Sequence, residues 1–381
     1  METKITQAVI LAGGQGTRLR PFTLTNPKPM FPIHGKPALE YLIGQLRDNG
    51  IKDILLLLGY LPEKISDYFG DGSEFGVRIT YAVSPVEDDT GTRIRKAAHL
   101  LREKFLLLYC DNYWPLQLDK LWEFYESKKT LASMVVYGNK DGSSKSNTIV
   151  DENGMVILYD KSRTASGLHG VEIGFFIIDK KVLDLLPEDN VNFEASVLPQ
   201  LVAQKQLAGY LTDHKYYSTG SMDRIQFLEK FLAPRKIALL DRDGVINKKA
   251  AKADYVKTWG EFEFLPMAID GLKFLTRQGY ELFLITNQPG IARGKMTMED
   301  YEIITRNMER ELAKHGVKFS GIYVCFHNWD DGCECRKPKP GLLFQAAREH
   351  VFDLTKAIYI GDDERDMAAG QAAGCKTILI S

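Results

Sequence analysis

The stretch Ala8-Val9-Ile10-Leu11-Ala12-Gly13-Gly14-Gln15-Gly16-Thr17-Arg18-Leu19 decides how the first part of the chain reads. The apolar run Ala8 to Leu11 is too short for a core helix and is closed by glycines, so it reads as a buried strand. Gly13, Gly14 and Gly16 then form a turn so poor in side chains that backbone N–H groups can approach phosphate oxygens closely. Neither familiar phosphate loop is present: Leu19 stands where G-x-G-x-x-G needs its third glycine, and G-x-x-x-x-G-K-[ST] does not occur. Prolines at 21, 27 and 29 prevent a long helix from following directly. Arg18 and Lys28 are therefore the natural charge partners for a triphosphate.

Outward from this loop, short apolar runs alternate with helical patterns. The strands are Ala8–Leu11, Ile54–Leu58, Phe105–Tyr109 and Ala132–Tyr137, and the helices lie around Ala38–Asn49, Thr92–Glu103 and Leu118–Lys128. Such alternation predicts an α/β fold, a largely parallel sheet covered on both faces. The pattern restarts after Phe231-Leu232-Ala233-Pro234-Arg235-Lys236, with strands at Ile237–Leu240, Glu281–Ile285, Gly321–Cys325, Ala357–Ile360 and Thr377–Ile380. The reading is of two Rossmann-like doubly wound domains, 1–232 and 236–381, with no repeat at solenoid period. In the second, Asp241-Arg242-Asp243-Gly244-Val245-Ile246-Asn247 leaves the apolar strand, and a spacing of two points both carboxylates to one side of an extended chain.

The 381 residues carry 49 basic and 50 acidic side chains, with no long run of either sign, which gives no footprint for nucleic acid or an anionic membrane. No apolar stretch approaches a spanning helix, and Met1 to Gly14 lacks a basic n-region and a cleavage site, so a soluble cytoplasmic protein is expected. Three of the five cysteines fall in the arrangement Cys325-x-His327 and Cys333-x-Cys335, a closed tetrahedral set for structural Zn²⁺. Metal binding would fix the loop that carries Arg336 and Lys337. Cys110 reads as a small buried residue.

Residues Leu11–Leu19, followed by Asn26-Pro27-Lys28-Pro29-Met30, resemble the signature of sugar-1-phosphate nucleotidyltransferases over roughly residues 5 to 230. The resemblance implies a GT-A-like domain in which Gly13, Gly14, Gly16 and Thr17 cradle the nucleotide phosphates. Arg18 and Lys28 would offset charge at the α-phosphate and on departing pyrophosphate. Asp111 matches the family's Mg²⁺ ligand, and Glu172 and Gly174 match its sugar-contacting stretch. Asp160-Lys161 matches its Glu-Lys pair, with Lys161 on the sugar phosphate, or is a solvated turn pair. Ser218 stands where the family usually carries a second metal-binding aspartate. Gly91 and Thr92 keep part of the base-recognition stretch, while Arg93 and Arg95 resemble basic residues of the cytidylyltransferases, leaving GTP and CTP both open.

Asp241 and Asp243, Thr286-Asn287, Lys337 and Gly361-Asp362-Asp363 are similar, in this order at strand ends, to the four motifs of the haloacid dehalogenase (HAD) superfamily. The Cys/His set, with Thr286–Gly294 and Cys335–Gly341, narrows the resemblance to its histidinol-phosphate and heptose-bisphosphate phosphatase branch, which has a minimal cap. The implied chemistry makes Asp241 the nucleophile and Asp243 the acid and base. Asp241, the Asp243 carbonyl and Asp362 would hold Mg²⁺, and Thr286 and Lys337 the phosphoryl oxygens, with Asn287 and Arg336 on the sugar phosphate. Asp363 is expected to act indirectly, and Asp366 to be a helix-start charge. Together the two resemblances imply a bifunctional enzyme that dephosphorylates a sugar bisphosphate, D-glycero-D-manno-heptose 1,7-bisphosphate being favoured, and joins a nucleotide from an NTP, GTP being favoured, to the sugar 1-phosphate. Two alternatives stand beside it: a CTP-dependent cytidylyltransferase and phosphatase acting on another small sugar or polyol phosphate, and an active phosphatase whose N-terminal domain binds nucleotide only for regulation.

Overall fold

The computed structural model describes residues 5–251 and 254–380. The chain forms two compact units, one running to Glu229 and one starting at Lys230.

The first unit is built on a seven-stranded sheet. Its strands are β1 (Gln7–Ala12), β2 (Asp53–Leu58), β3 (Arg78–Val83), β4 (Lys104–Tyr109), β5 (Ala132–Tyr137), β6 (Val171–Asp179) and β7 (Leu207–Thr212), in the spatial order β7-β5-β6-β4-β1-β2-β3. Every residue of β1 is buried, as expected of a strand covered on both faces. The sheet is parallel except at β6, which runs antiparallel to both β4 and β5. In-register pairing of Leu11 with Tyr109 and of Ala12 with Leu58 brings the glycine loop and the segment after β4 to one sheet edge. Helices α1 (Ala38–Asp48) and α3 (Leu118–Lys128) match the sequence reading closely. Helix α2 covers only Thr90–Lys96 and tightens into a 3-10 turn at Ala98–Leu100. The reason is a competing partner: Gln7 donates to the Leu100 carbonyl and accepts from the Arg102 N–H, which ends the helical ladder early.

The second unit has five parallel strands, β8 (Lys236–Leu240), β9 (Tyr280–Asn287), β10 (Phe319–Cys325), β11 (Ile358–Gly361) and β12 (Lys376–Leu379), in the order β10-β9-β8-β11-β12. Alternation along β8 fills two cores. Ile237 and Leu239 pack with Phe283, Tyr359 and Phe352 on one face, and Ala238 and Leu240 with Leu282, Leu284 and Ile304 on the other. Each such aliphatic or aromatic side chain contributes about 1.5–3 kcal/mol by leaving water. Helices α4 (Ala268–Arg277), α5 (Met298–Ala313), α6 (Gly341–His350) and α7 (Glu364–Ala372) complete the layers. Among the described residues α4 is the only α-helix between β8 and β9, so no cap domain is inserted there. The central strand β8 lies between β9 and β11, and the chain crosses the sheet from β10 to β11; this reversal of strand order is the topological switch point at which α/β sheets open a crevice.

Candidate functional sites

In the second unit, Asp241 leaves the carboxyl end of β8, Thr286 and Asn287 end β9, and Asp362 follows β11. Parallel register makes these ends adjacent, and the Asp241 N–H donates to the Ile360 carbonyl at 3.0 Å. Lys337 arrives from the loop before α6 and places its Nζ 2.8 Å from Asp241 and 2.6 Å from Asp366. All three side chains are buried. Burial, with the neighbouring Asp366 and Asp243 charges, pushes the Asp241 carboxyl up to about 6 despite Lys337. Burial also works against the Lys337 ammonium, but the two carboxylates outweigh it and raise its pKa. For Asp243 burial is outweighed in turn: Arg242, Asn247 and Gln288 all donate to its carboxylate and hold it below the usual range.

Asp366 is the main correction in this unit. It does begin a helix, closing the capping box of α7 with Asp363, yet its carboxylate is buried and pairs with Lys337. Asp363 caps α7 and forms a two-bond pair with Arg365. Thr286 is fully enclosed, with its hydroxyl accepting from Gln288, and Asn287 braces the Lys337 backbone from both its amide atoms. The carboxylates of Asp241, Asp362 and Asp366 lie within 4.8 Å of one another. Asp362 Oδ1 is buried without a partner, and a Cβ on Gly244 would overlap this carboxylate. Such an all-oxygen, partly unsatisfied donor set fits a hard divalent cation. The adjoining cavity, about 580 Å³, is lined by Asp241, Asp243, Lys337 and Arg336, and its rim carries Arg293 against Tyr255 and Trp329.

Cys325, His327, Cys333 and Cys335 converge, their ligand atoms all within 4.8 Å of one another. His327 Nδ1 lies 3.2 Å from Cys335 Sγ, and Cys325 Sγ lies 3.3 Å from Cys335 Sγ and 3.8 Å from Cys333 Sγ. A tetrahedral zinc with bonds of about 2.3 Å would have S···S edges of about 3.8 Å. Donor type and spacing both fit that metal.

In the first unit, Lys28 Nζ lies 2.7 Å from Asp111 Oδ2, so two residues far apart in sequence form one ion pair. Together with Gly13, Gly14, Gly16, Thr17 and Arg18 they line a cavity of about 480 Å³. Gly16 is left-handed at φ 63°, and a side chain there would press on Lys28. A side chain on Gly13 would meet the Arg93 guanidinium. Arg93 is buried and donates to the carbonyls of Leu58, Pro85 and Val86, which fastens the two segments that carry them beneath the loop. Arg95 donates to the Glu188 and Asp189 carbonyls. Both guanidiniums therefore serve backbone, and a base-reading role gains no support from them.

Gly91 and Thr92, the part of the base-recognition stretch that the sequence keeps, are held against the segment 186–191. Gly91 packs against Leu186 and Val191, and the Thr92 hydroxyl exchanges hydrogen bonds with Asp189 and Val191. Asp160 accepts N–H groups from Ser162, Thr164 and Ala165, which makes it a loop staple, while Lys161 pairs with Glu194 at 3.1 Å and donates to Asn192. Glu172 is buried, accepts from the Gly174 N–H and is pushed well above the usual carboxyl range by burial and by Glu194. Gly174, at φ 80°, sits in the bulge where the β5–β6 register shifts.

The sequence profile of the family described as Nucleotidyl transferase matches residues 7–233, more than half of the chain. This chain belongs to the nucleotidyl transferase family. A second profile, described as HAD-hydrolase-like, matches residues 334–381. The C-terminal part is 43% identical over 150 residues to D-glycero-beta-D-manno-heptose-1,7-bisphosphate 7-phosphatase of Helicobacter pylori strain J99, covering 39% of this chain and 84% of that one. It is 40% identical over 147 residues to the D-glycero-alpha-D-manno-heptose-1,7-bisphosphate 7-phosphatase of Photorhabdus laumondii, covering 36% and 78%. These matches place the C-terminal part of this nucleotidyl transferase family member in the heptose-bisphosphate 7-phosphatase family as well. The solved structure of HddC from Yersinia pseudotuberculosis superposes with a TM-score of 0.50 at 25% identity, covering 58% of this chain and 97% of HddC. The chain is thus an enzyme with a transferase part and a phosphatase part. Among the described residues no helix is long and apolar enough to cross a membrane.

Sequence reasoning passed over Gln288, Lys249 and Arg224 and underrated Asp366. Gln288 stands next to Asn287 in a motif already noted, and its signal was that adjacency. Lys249 pairs with Asp362 at 2.6 Å, and Arg224 contacts Ser218 at 3.4 Å. Neither contact has a spacing signature.

Proposed function

We propose that the chain catalyses two successive steps: removal of the 7-phosphate from D-glycero-D-manno-heptose 1,7-bisphosphate, and nucleotidyl transfer from an NTP, GTP being favoured, to the resulting 1-phosphate with release of pyrophosphate. What carries the reading is the union, in one chain, of the buried Asp241–Lys337–Asp366 cluster in a unit related to heptose-bisphosphate 7-phosphatases and of a nucleotidyl transferase fold. Relatives named for the alpha and for the beta anomer match at similar identity, so both anomers belong in the assay.

In the phosphatase step the Asp241 carboxylate attacks phosphorus while the bond to the C7 oxygen breaks, and Asp243, which takes up a proton once the anionic substrate stands beside it, supplies that proton to the oxygen. Asp243 then takes a proton from the water that attacks the aspartyl-phosphate and releases inorganic phosphate. Lys337 offsets phosphoryl charge, and Asp366 holds Lys337 in place. Arg336 and Asn287 face the sugar phosphate. Mg²⁺, held by Asp241, Asp362 and the Asp243 carbonyl, would neutralise charge between nucleophile and phosphate. Zn²⁺ on Cys325, His327, Cys333 and Cys335 would brace the loop that leads into Lys337.

In the transfer step the sugar-phosphate oxygen attacks the α-phosphorus and the bond to the pyrophosphate oxygen breaks. Gly13, Gly14, Gly16 and Thr17 present backbone to the phosphates, and Arg18 and Lys28 offset the leaving charge. Asp111 is the carboxylate available to Mg²⁺, and Lys161, Glu172 and Gly174 are assigned to the sugar phosphate side. Five cysteines with no disulfide among the described residues support a reducing, cytoplasmic setting.

Ser218 is the observation behind a second reading, an active phosphatase whose N-terminal unit only binds nucleotide. Mass spectrometry of the enzyme incubated with heptose 1,7-bisphosphate, Mg²⁺ and four NTPs tests both. Heptose 1-phosphate together with GDP-heptose is the expected result; CDP-heptose would change the base, and free phosphate without pyrophosphate would favour the second reading.

A further inference from the structure

Around Gly220 three polar side chains meet. Measured from the position a Cβ would take on this glycine, Ser218 Oγ lies at 3.3 Å, Arg224 Cδ at 3.8 Å and Arg18 Nη1 at 3.9 Å. Arg224 Nη1 lies 3.4 Å from Ser218 Oγ, and Gly220 N–H donates to the same oxygen. Among the described residues neither Arg18 nor Arg224 has a carboxylate within 4.0 Å, and both are exposed. The segment is tied to the Lys28–Asp111 pair: Thr219 N–H donates to the Asp111 carbonyl at 2.9 Å, and Ser218 is bridged to Asn112. Asp111, whose carbonyl holds this segment, is already paired with Lys28, and Glu87, Asp88 and Asp89 also line the cavity that Arg18 borders. With no ion-pair partner within 4.0 Å among the described residues, each guanidinium is available to an anionic ligand.

We propose that Arg18, Arg224 and the Ser218 hydroxyl form a pyrophosphoryl subsite that binds the β- and γ-phosphates of the NTP, and free pyrophosphate, through guanidinium groups in place of a second carboxylate-held metal. The inference rests on the transferase reading of this unit. Guanidinium forks match phosphate oxygens in geometry and stay charged at any working pH. An aspartate at 218 would capture Arg224 as an ion pair and cancel the charge that the ligand needs. The serine hydroxyl instead contacts Arg224 while leaving its charge free, and the missing side chain of Gly220 keeps the space between the arginines open.

Binding is measured by calorimetry on the full chain with three probes: pyrophosphate, GTP and GMP, each with and without Mg²⁺. Arg224→Ala is expected to weaken pyrophosphate and GTP about tenfold or more, the scale for losing a charged hydrogen bond, and to leave GMP unchanged. Arg224→Lys should recover part of that loss, and Ser218→Asp should weaken pyrophosphate as Arg224→Ala does. Thermal unfolding of the first unit and its retained GMP binding serve as the folding control. Pyrophosphate binding that is absent from the unaltered protein, equal in Arg224→Ala, or strengthened in Ser218→Asp would overturn the subsite, as would a parallel loss of GMP. Failure of transfer with every NTP would overturn the transferase reading instead, and pyrophosphate binding would still decide the subsite.

Discussion

At the scale of single residues, the phosphatase cluster shows how far charge can be taken out of water when every member has a partner. Lys337 is shared between Asp241 and Asp366, and Asp366 also accepts from the Tyr359 hydroxyl. Removing one member of a buried ion pair costs about 3–5 kcal/mol because the other is left uncompensated; here Asp241 remains, so the cost should fall toward the lower end. Asp366→Asn is therefore expected to lower phosphate release at least tenfold and to reduce the melting temperature of the second unit. Steady-state rates and calorimetry check this, and an unchanged rate would return Asp366 to the plain helix-capping role that its sequence position implied. That role was legible because Asp363 and Asp366 have capping-box spacing. The ion pair was not, since Lys337 lies far away in sequence.

At the scale of elements, the start of the second unit is fixed by Arg235. Its guanidinium donates twice to Glu281, at 2.6 Å each, and once each to the carbonyls of His350 and Val351 at the end of α6. Arg235→Ala should destabilise this unit by about 1–3 kcal/mol, chiefly through the two orphaned carbonyls, because the exposed side of the Glu281 pair is screened by solvent. Hydrogen bonding to Arg235 holds Glu281 below its ordinary value of 4.5. The stability it adds is thus present above about pH 4.5 and is lost as pH falls through the lower folded value. Urea titrations at pH 7 and pH 3 should show a smaller difference between the two proteins at pH 3. The Cys/His loop is the second element-scale case. Cys333→Ser should lower zinc content from about one per chain and destabilise the loop carrying Lys337, because a structural site lends its binding energy to folding. Elemental analysis that finds no zinc in protein prepared without chelator would remove the assignment.

At the scale of the whole molecule, each unit has its own sheet and its own apolar cores, so the two chemistries should fail separately. Asp241→Asn should abolish phosphate release and leave nucleotidyl transfer from a supplied sugar 1-phosphate intact. Arg18→Ala should do the reverse, depressing transfer by a factor of order 10², the scale for losing a positioned electrostatic donor. Assaying both activities in both variants checks the pair, and equal loss of both in either variant would rule out two independent sites.

The alternation of apolar runs with helical patterns determined the α/β class, and β1, β4, β5 and α3 fall where their hydrophobic pattern places them. The glycine loop, the aspartates after β8 and the Cys/His spacing were equally local, because each depends on a few neighbouring residues and a strand end. Direction of pairing was not local: β6 is not among the runs read as strands, and its antiparallel course beside β4 and β5 is set by the direction in which the chain re-enters the sheet. Partnership was not local either. Arg93 looks like a ligand-facing cation in sequence and is a buried brace in the fold, while Asp366 gains its partner Lys337 and Arg224 its neighbour Arg18 from segments many residues away. Burial and charge pairing are properties of three-dimensional neighbours, whereas propensity and spacing are properties of the chain, and this division separates what could be read from what had to be folded.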